Sequence, residues 1–440
     1  VRSICSTLEA ANHEAWCVGG AVRDALLGIQ TLDWDIATSA RPDEVQRLFK
    51  RTVPVGVEFG TVGVLDVNGV LHEVTTFRHD VETDGRHAVV KFGASLEEDL
   101  ARRDFTINAI AVHAERLEMR DPFGGRDDLE RRVIRCVGEA SERMREDRLR
   151  ALRALRFAGR FEFAIEPATW TAIVESAPHL GRLSMERVKQ ELEKVMEQIA
   201  RPSATLARYR EAGIFAALVP ALADAPAARF AAIDYLARPG LVRRPDRRTL
   251  RLAALFVEPG VAPARALEST LKALKFSNLE ARAAVALAES AAACDLTHLR
   301  AMAQRAAAGA HAVGVHQKGE PGPAASADAE ALRRLIARAG RLMVPGLTRL
   351  LWARAKADGL PASEGPAGIA LYRRALRCAF RDPLTVADLA IDGEDLRQHG
   401  VPPGPQMGTM LAALLERVLG DPSQNTRDTL IHAVHEMRGQ

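Results

Sequence analysis

At 440 residues the chain exceeds one ordinary core, and at roughly 100 to 200 residues per domain it predicts two to four packed units. Hydrophobic residues make up 47%, charged residues 27% and aromatics 5%, a mix that excludes a disordered chain and leans helical. The 60 basic and 57 acidic side chains nearly cancel, so net charge alone says nothing about a nucleic-acid partner; only the placement of the arginines can.

The five cysteines, Cys5, Cys17, Cys136, Cys294 and Cys378, lie far apart with no Cys-x-x-Cys and no histidines at zinc spacing, which suits a reducing compartment. No run of about 20 uncharged apolar residues occurs and the start lacks an export series, so neither a membrane span nor secretion is expected, and the cytoplasm is the expected compartment.

From residue 14 to about 135 short β-branched runs alternate with helical patterns. A strand is expected at Ala15–Val18, a helix at Val22–Leu27, a strand at Leu32–Ala37 and a helix at Pro42–Phe49. Strands near Thr61–Val67 and Val70–Thr76 flank Asn68-Gly69, a two-residue hairpin signal, so the sheet is expected to be mixed. Beyond about residue 138 strand signals fade into Ala/Leu/Arg segments with apolar residues three and four apart, punctuated by prolines, and these predict helices. The Ala/Gly/Pro-rich stretch 306–327 reads as a loop or linker.

Gly19-Gly20 stands at a strand-to-helix junction, where backbone N–H groups and the helix dipole can face an anion such as a triphosphate; the bland alternative is a tight turn. In Leu32-Asp33-Trp34-Asp35-Ile36, alternation on a strand puts both carboxylates on one face and Leu32, Trp34 and Ile36 on the other. Carboxylates so close repel unless cations join them, and a pair of magnesium ions held there suits phosphoryl transfer; a solvated edge strand is the plain alternative. Glu73, on a later strand, is the candidate third carboxylate. In the segment 97–109 Arg103 is placed to reach a phosphate or base. His79-Asp80 is expected to be a loop pair following a strand rather than a metal site.

The segment Glu146–Phe157 predicts one helix on which Arg150, Arg153, Arg156 and Arg160 share roughly a third of the wheel. An aspartate that accepts hydrogen bonds and an arginine that donates them, as Asp147 and Arg150 on one turn, match the base edge shared by cytosine and adenine. Uracil and guanine set acceptor against acceptor and donor against donor, so selection of CTP and ATP needs no template. An ordinary solvated helix of Glu/Arg pairs is the plain alternative.

Together these segments resemble the class II, bacterial-type, tRNA nucleotidyltransferase and poly(A) polymerase family, which shows Gly-Gly-x-Val-Arg-Asp, Asp-x-Asp, Arg-Arg-Asp-Phe-Thr-x-Asn-Ala and Glu-Asp-x-x-Arg in this order, as residues 18–157 do. Ser184-Met185-Glu186-Arg187-Val188 resembles a further motif that supports the base-reading helix. The resemblance implies an α/β, polymerase beta-like nucleotidyltransferase head with a mixed sheet, followed by all-α neck, body and tail modules that grip the acceptor end of tRNA. Here the divisions are expected at 1–137, 138–200, 201–310 and 328–440. It implies that Asp33 and Asp35 bind two Mg2+ ions and that Gly20, Arg23, Arg103, Asp147, Arg150, Arg153 and Arg156 contact the incoming CTP or ATP.

The segment 388–396, with Gly400 and Gly404-Pro405 downstream, is similar to the tail of these enzymes, or is simply a helix, a turn and a cap. Relatives add CCA, CC, the final A, or a poly(A) tail with the same core. The loop from Asp80 to Phe92 resembles the flexible element that CC-only enzymes lack, and no basic extension follows residue 430, so full CCA addition to the tRNA 3′ end is expected. A non-catalytic RNA-binding scaffold, with the arginines on phosphates and the aspartates merely balancing charge, is the competing class.

Overall fold

In the computed structural model, which describes residues 1–32, 34–83, 88–236, 245–257, 264–312 and 323–438, the chain forms two compact units: residues 1–225 with 273–275, and residues 226–272 with 276–440. No helix among the described residues is long and apolar enough to cross a membrane.

The first unit opens with α1 (Arg2–Ala10), β1 (Ala15–Val18), α2 (Gly20–Leu26), β2 (Asp35–Thr38), α3 (Pro42–Leu48), β3 (Thr52–Gly56), β4 (Thr61–Leu65) and β5 (Leu71–Thr76). A separate two-stranded ribbon of β6 (Arg78–Thr83) and β7 (Ala88–Phe92) follows, then α4 (Leu96–Ala101), β8 (Ala111–Val112), β9 (Met119–Arg120) and α5 (Gly125–Arg131). Seven strands make one sheet in the order β3-β4-β5-β2-β1-β8-β9; β2 and β5 are parallel and every other pair is antiparallel, so the sheet is mixed as expected.

Alternation assigns the two faces. Ile36, Val62, Val64 and Val74 are essentially sealed on one face, where α1 and α3 pack. The other face carries Trp16, Val18, Ala37 and Ala111, which share a core with Leu96 and Leu100 of α4 and with Phe77, Ala109 and Val137. α4 starts sharply because Ser95 Oγ accepts the Glu98 N–H while the Glu98 carboxylate accepts the Ser95 N–H.

The remainder of this unit is β10 (Val133–Ile134), α6 (Ala140–Glu146), α7 (Leu149–Phe161), β11 (Ala164–Ile165), α8 (Pro167–Ser176), α9 (Met185–Gln198), α10 (Ser203–Glu211) and α11 (Ile214–Leu218). The described residues of the second unit are helical, with one core around Leu332, Ile336, Val344 and Ala379 and another around Leu396, Leu414, Val418 and Leu430.

Several local expectations need correction. β2 begins at Asp35, not Leu32: Asp35 pairs with Val18, and at Gly19 the partner strand turns away, so nothing pairs further back. Leu32 is consequently 81% exposed and Trp34 only half-buried, while Asp33 lies outside the described residues. The β4–β5 turn has three loop residues rather than two, because Asp66 N–H bonds Val70 O and Gly69 closes the turn at φ 79°. His79 and Asp80 belong to strand β6, whose partner β7 ends the segment expected as a loop; residues 84–87 of that segment lie outside the described residues. Val133–Ile134 and Ala164–Ile165 pair in parallel within the helical region. Residues 306–312 and 323–327, expected as linker, continue the helices Leu296–Ala312 and Pro323–Ala339, in keeping with their alanine content. In the segment 388–396 Asp392 caps the helix Gly393–Gln398, its Oδ1 accepting the N–H groups of Glu394 and Asp395.

Candidate active site

Gly19 joins β1 to α2 at φ 73°, ψ −137°, a conformation closed to ordinary L-residues. A Cβ there would lie 3.0 Å from Arg103 Nη1 and 3.4 Å from Asp35 Oδ2. Three segments far apart in sequence thus meet at one backbone turn: the glycine pair, the carboxylate at the start of β2, and the arginine just beyond α4. Arg103 is steadied by Asp99 Oδ2 at 3.2 Å and by the Asn108 carbonyl, while its buried Nε has no hydrogen-bond partner among the described residues.

Glu73 is brought to the same place. The parallel pairing of Ile36 with Val74 sets the preceding residues, Asp35 and Glu73, side by side on adjoining strands and on one face. Hard carboxylate oxygens of this kind are magnesium ligands by chemistry. Among the described residues no set of three or more metal-binding side chains converges, and Asp33 stands outside them.

Beneath the turn runs a chain of alternating charges. Arg23, only 4% exposed, donates from Nε and Nη2 to Asp24 Oδ1 and from Nη1 to Asn108 Oδ1 at 2.6 Å. Asp24 also takes Arg160 Nη2 at 2.9 Å. Asn108 Nδ2 donates to Asp104, which in turn receives Arg153 through Nε at 2.8 Å and Nη2 at 2.6 Å. The guanidinium groups of Arg23, Arg153 and Arg156 lie 5.0, 5.3 and 4.1 Å from the Phe157 ring centroid. Burial alone would push Asp104 up, but Arg153 and the Asn108 amide outweigh it and hold the carboxyl down at about 2. Glu191 is likewise pushed up by burial and pulled below its ordinary value by Arg156, whose Nε it accepts at 2.6 Å.

The expected continuous helix from Glu146 to Phe157 is broken. α6 ends at Glu146, Asp147 is extended (φ −145°, ψ 103°), and α7 starts at Leu149. The break follows from the side chain: Asp147 Oδ1 accepts the Leu149 N–H as an Asx turn does, and its Oδ2 takes Arg187 Nη2 at 2.6 Å. Arg150, in the first turn of the following helix, is held by Glu146 Oε2 at 2.6 Å and by the carbonyls of Arg143 and Arg102.

The structure therefore gathers Gly20, Asp35 and Arg103 at one turn and places Asp147 and Arg150 at the α6–α7 corner. Arg23, Arg153 and Arg156 lie inward with carboxylate partners, so the arginines of α7 are not a free stripe awaiting phosphate. Sequence reasoning missed the partners Asp99, Asp104 and Glu191 of Arg103, Arg153 and Arg156. The signal for Glu191 was its place in the apolar series Val188, Leu192, Val195, where a carboxylate requires a buried cation.

Residues 15–135 match the Poly A polymerase head domain family, residues 162–225 the "Probable RNA and SrmB- binding site of polymerase A", and residues 371–434 a tRNA nucleotidyltransferase domain 2 family. The chain is 46% identical over 259 residues to a CCA-adding enzyme of Geobacillus kaustophilus, a match that covers 58% of this chain and 62% of that protein, so it spans about three fifths of that relative. With a CCA-adding enzyme of Levilactobacillus brevis it shares 34% identity over 436 residues, 98% of this chain and 96% of the relative. The crystal structure of the Bacillus stearothermophilus CCA-adding enzyme in complex with CTP is similar at a TM-score of 0.71 and 32% identity, covering 99% of this chain and 96% of that one.

Proposed function

From the premise that the chain belongs to the CCA-adding enzyme family of class II tRNA nucleotidyltransferases, we propose that it adds C, C and A in turn to the 3′ end of tRNA, using CTP and ATP without a template. The reaction is in-line displacement: the terminal 3′-hydroxyl attacks the α-phosphorus, the bond to the bridging oxygen breaks, and pyrophosphate leaves. The observation that carries this reading is the meeting of Asp35 and Arg103 over the Gly19 backbone, where a Cβ would stand.

In this reading Asp33 and Asp35 hold the metals. Magnesium bound there supplies acidity to the hydroxyl and neutralises charge on the triphosphate. Gly20 and Arg103 face the triphosphate, and the Nε of Arg103, without a partner among the described residues, supports its role as a phosphate donor. Asp147 and Arg150 read the base edge, with Arg187 fixing the first and Glu146 the second. Arg23, Arg153 and Arg156 complete the nucleotide site from behind, keeping the turn and α7 in place through Asp24, Asp104 and Glu191. The head is assigned to residues 1–137, the neck to 138–200, the body to 201–310 and the tRNA-gripping tail to 328–440.

The test is incubation of the chain and magnesium with tRNA transcripts ending before CCA, after C or after CC, with CTP and ATP separately and together. Three-nucleotide extension of the bare transcript is expected. Extension of the CC-ended transcript alone would mean an A-adding enzyme, and a ladder of adenylates a poly(A) polymerase. No extension would overturn the enzymatic reading.

A further inference from the structure

On the face of the sheet that carries Asp35, α4 covers the part near β1, while among the described residues Val53, Val55 and Leu71 toward β3 are only partly covered. The register sets Glu73 opposite Gly63 and Gly63 opposite Val53, so Asp35, Glu73, Gly63 and Val53 form one row across four adjoining strands. At about 4.8 Å between strands, Gly63 lies roughly 10 Å along this row from Asp35. A Cβ on Gly63 would stand 2.8 Å from Leu71 Cδ1 and 2.9 Å from Val55 Cγ2, so these two side chains close over the glycine and make a continuous apolar floor. Val53, Val55 and Leu71 remain 39%, 40% and 39% exposed, while Val62, Val64 and Val74 on the opposite side of β4 and β5 are sealed. A contiguous aliphatic surface that ends at paired carboxylates marks a contact with something.

We propose that Val55 and Leu71, seated over Gly63, are positioning residues that hold the base of the RNA's 3′-terminal nucleoside while its hydroxyl lies at the Asp35 carboxylate. This rests on the reading of the chain as an RNA nucleotidyltransferase. The attacking hydroxyl and the base belong to one nucleoside, and Leu71 is two residues along β5 from Glu73, about 7 Å, which is the distance from the carboxylates that such a base must cover. The chemistry suits the growing end. The terminal base changes at each addition, so the surface that receives it must not read hydrogen-bond edges, and aliphatic side chains grip any base through its face. The incoming nucleotide, by contrast, is selected by edge and needs the polar corner at Asp147 and Arg150.

The experiment compares the full chain with the Val55→Ala, Leu71→Ala double variant on RNA ending in an ordinary nucleoside or in an abasic ribose. KM and kcat are measured for RNA and for each nucleoside triphosphate. The expected result is a KM for ordinary RNA raised about five- to twentyfold, with kcat and the nucleotide KM values changed less than about twofold. The abasic terminus should abolish the difference between variant and parent, and Leu71→Met with Val55 retained should restore parental KM. An unchanged KM for RNA, an equal penalty on the abasic terminus, or a rise confined to the KM for CTP or ATP would each overturn the proposal. Failure of the parent chain to extend any RNA would remove the underlying reading and the inference with it.

Discussion

Asp104 accepts hydrogen bonds from the Phe105 N–H, from Asn108 Nδ2 and from Nε and Nη2 of Arg153, and so ties the segment after α4 to α7. Replacement by Asn leaves Arg153 without its counter-charge. The expected loss is about 2–3 kcal/mol, below the range for a fully sealed pair because Arg153 keeps some contact with water. Since the folded carboxyl titrates at about 2, below its unfolded value, the unfolded chain takes up the proton first. The contribution of Asp104 is therefore complete above about pH 5 and lost as pH falls toward 2. Denaturant titrations of parent and Asp104→Asn at pH 7, 4 and 3 should show the gap between them narrowing; a constant gap would contradict the ion-pair account. Asp35 differs in kind. It stands at a strand start, half-buried, beside the glycine turn, so Asp35→Ala should abolish nucleotide addition while thermal unfolding and RNA binding change little. Asp33→Ala should behave alike, and residual incorporation by either would sink the metal assignment.

Among the elements, α7 is the most constrained. A Cβ on its Gly159 would lie 2.0 Å from Thr205 Oγ1 and 2.8 Å from Ile199 Cδ1, so α10 approaches the α7 backbone as closely as only glycine permits. Gly159→Ala should destabilise the unit by about 1–3 kcal/mol, read as a lowered Tm. At the other end of α7, Arg187→Ala releases one oxygen of Asp147 and should let UTP or GTP compete with CTP, as should Asp147→Ala combined with Arg150→Ala; unchanged selectivity in misincorporation assays would take base reading away from the α6–α7 corner. Much of this was legible in the chain. β1 falls on the residues its pattern predicts, and the glycine pair stands at the strand-to-helix junction where its spacing placed it. The break at Asp147 was hidden because the helical periodicity of 146–157 runs through it, and only a side chain bonding its own backbone interrupts the helix. The exposed Leu32 was hidden too, since apolar alternation predicts a strand but cannot say where the partner strand departs. Nor could spacing reveal that Arg153 and Arg156 look inward, because their partners Asp104 and Glu191 come from other elements.

At the scale of the molecule, the sheet supplies carboxylates and the helices after it supply arginines, and the proposed reaction would draw on both around one nucleotide. Removal of magnesium by a chelator should stop addition and its return should restore it, with little change in Tm, because the carboxylates near the turn hold no fold together through a metal in this reading. A Tm that collapses on chelation would instead make the metal structural. The charged chain Arg160–Asp24–Arg23–Asn108–Asp104–Arg153 has a bearing on how such proteins can be recombined. A chimera cut after residue 137 would pair one parent's Asp24 and Asp104 with another's Arg160 and Arg153, and any drift in their spacing would strand buried charges. Because Arg156 of α7 is sealed against Glu191 of α9, the smallest interchangeable cassette extends through Gln198, and grafts joined beyond α9 should express and fold where those joined before α7 precipitate.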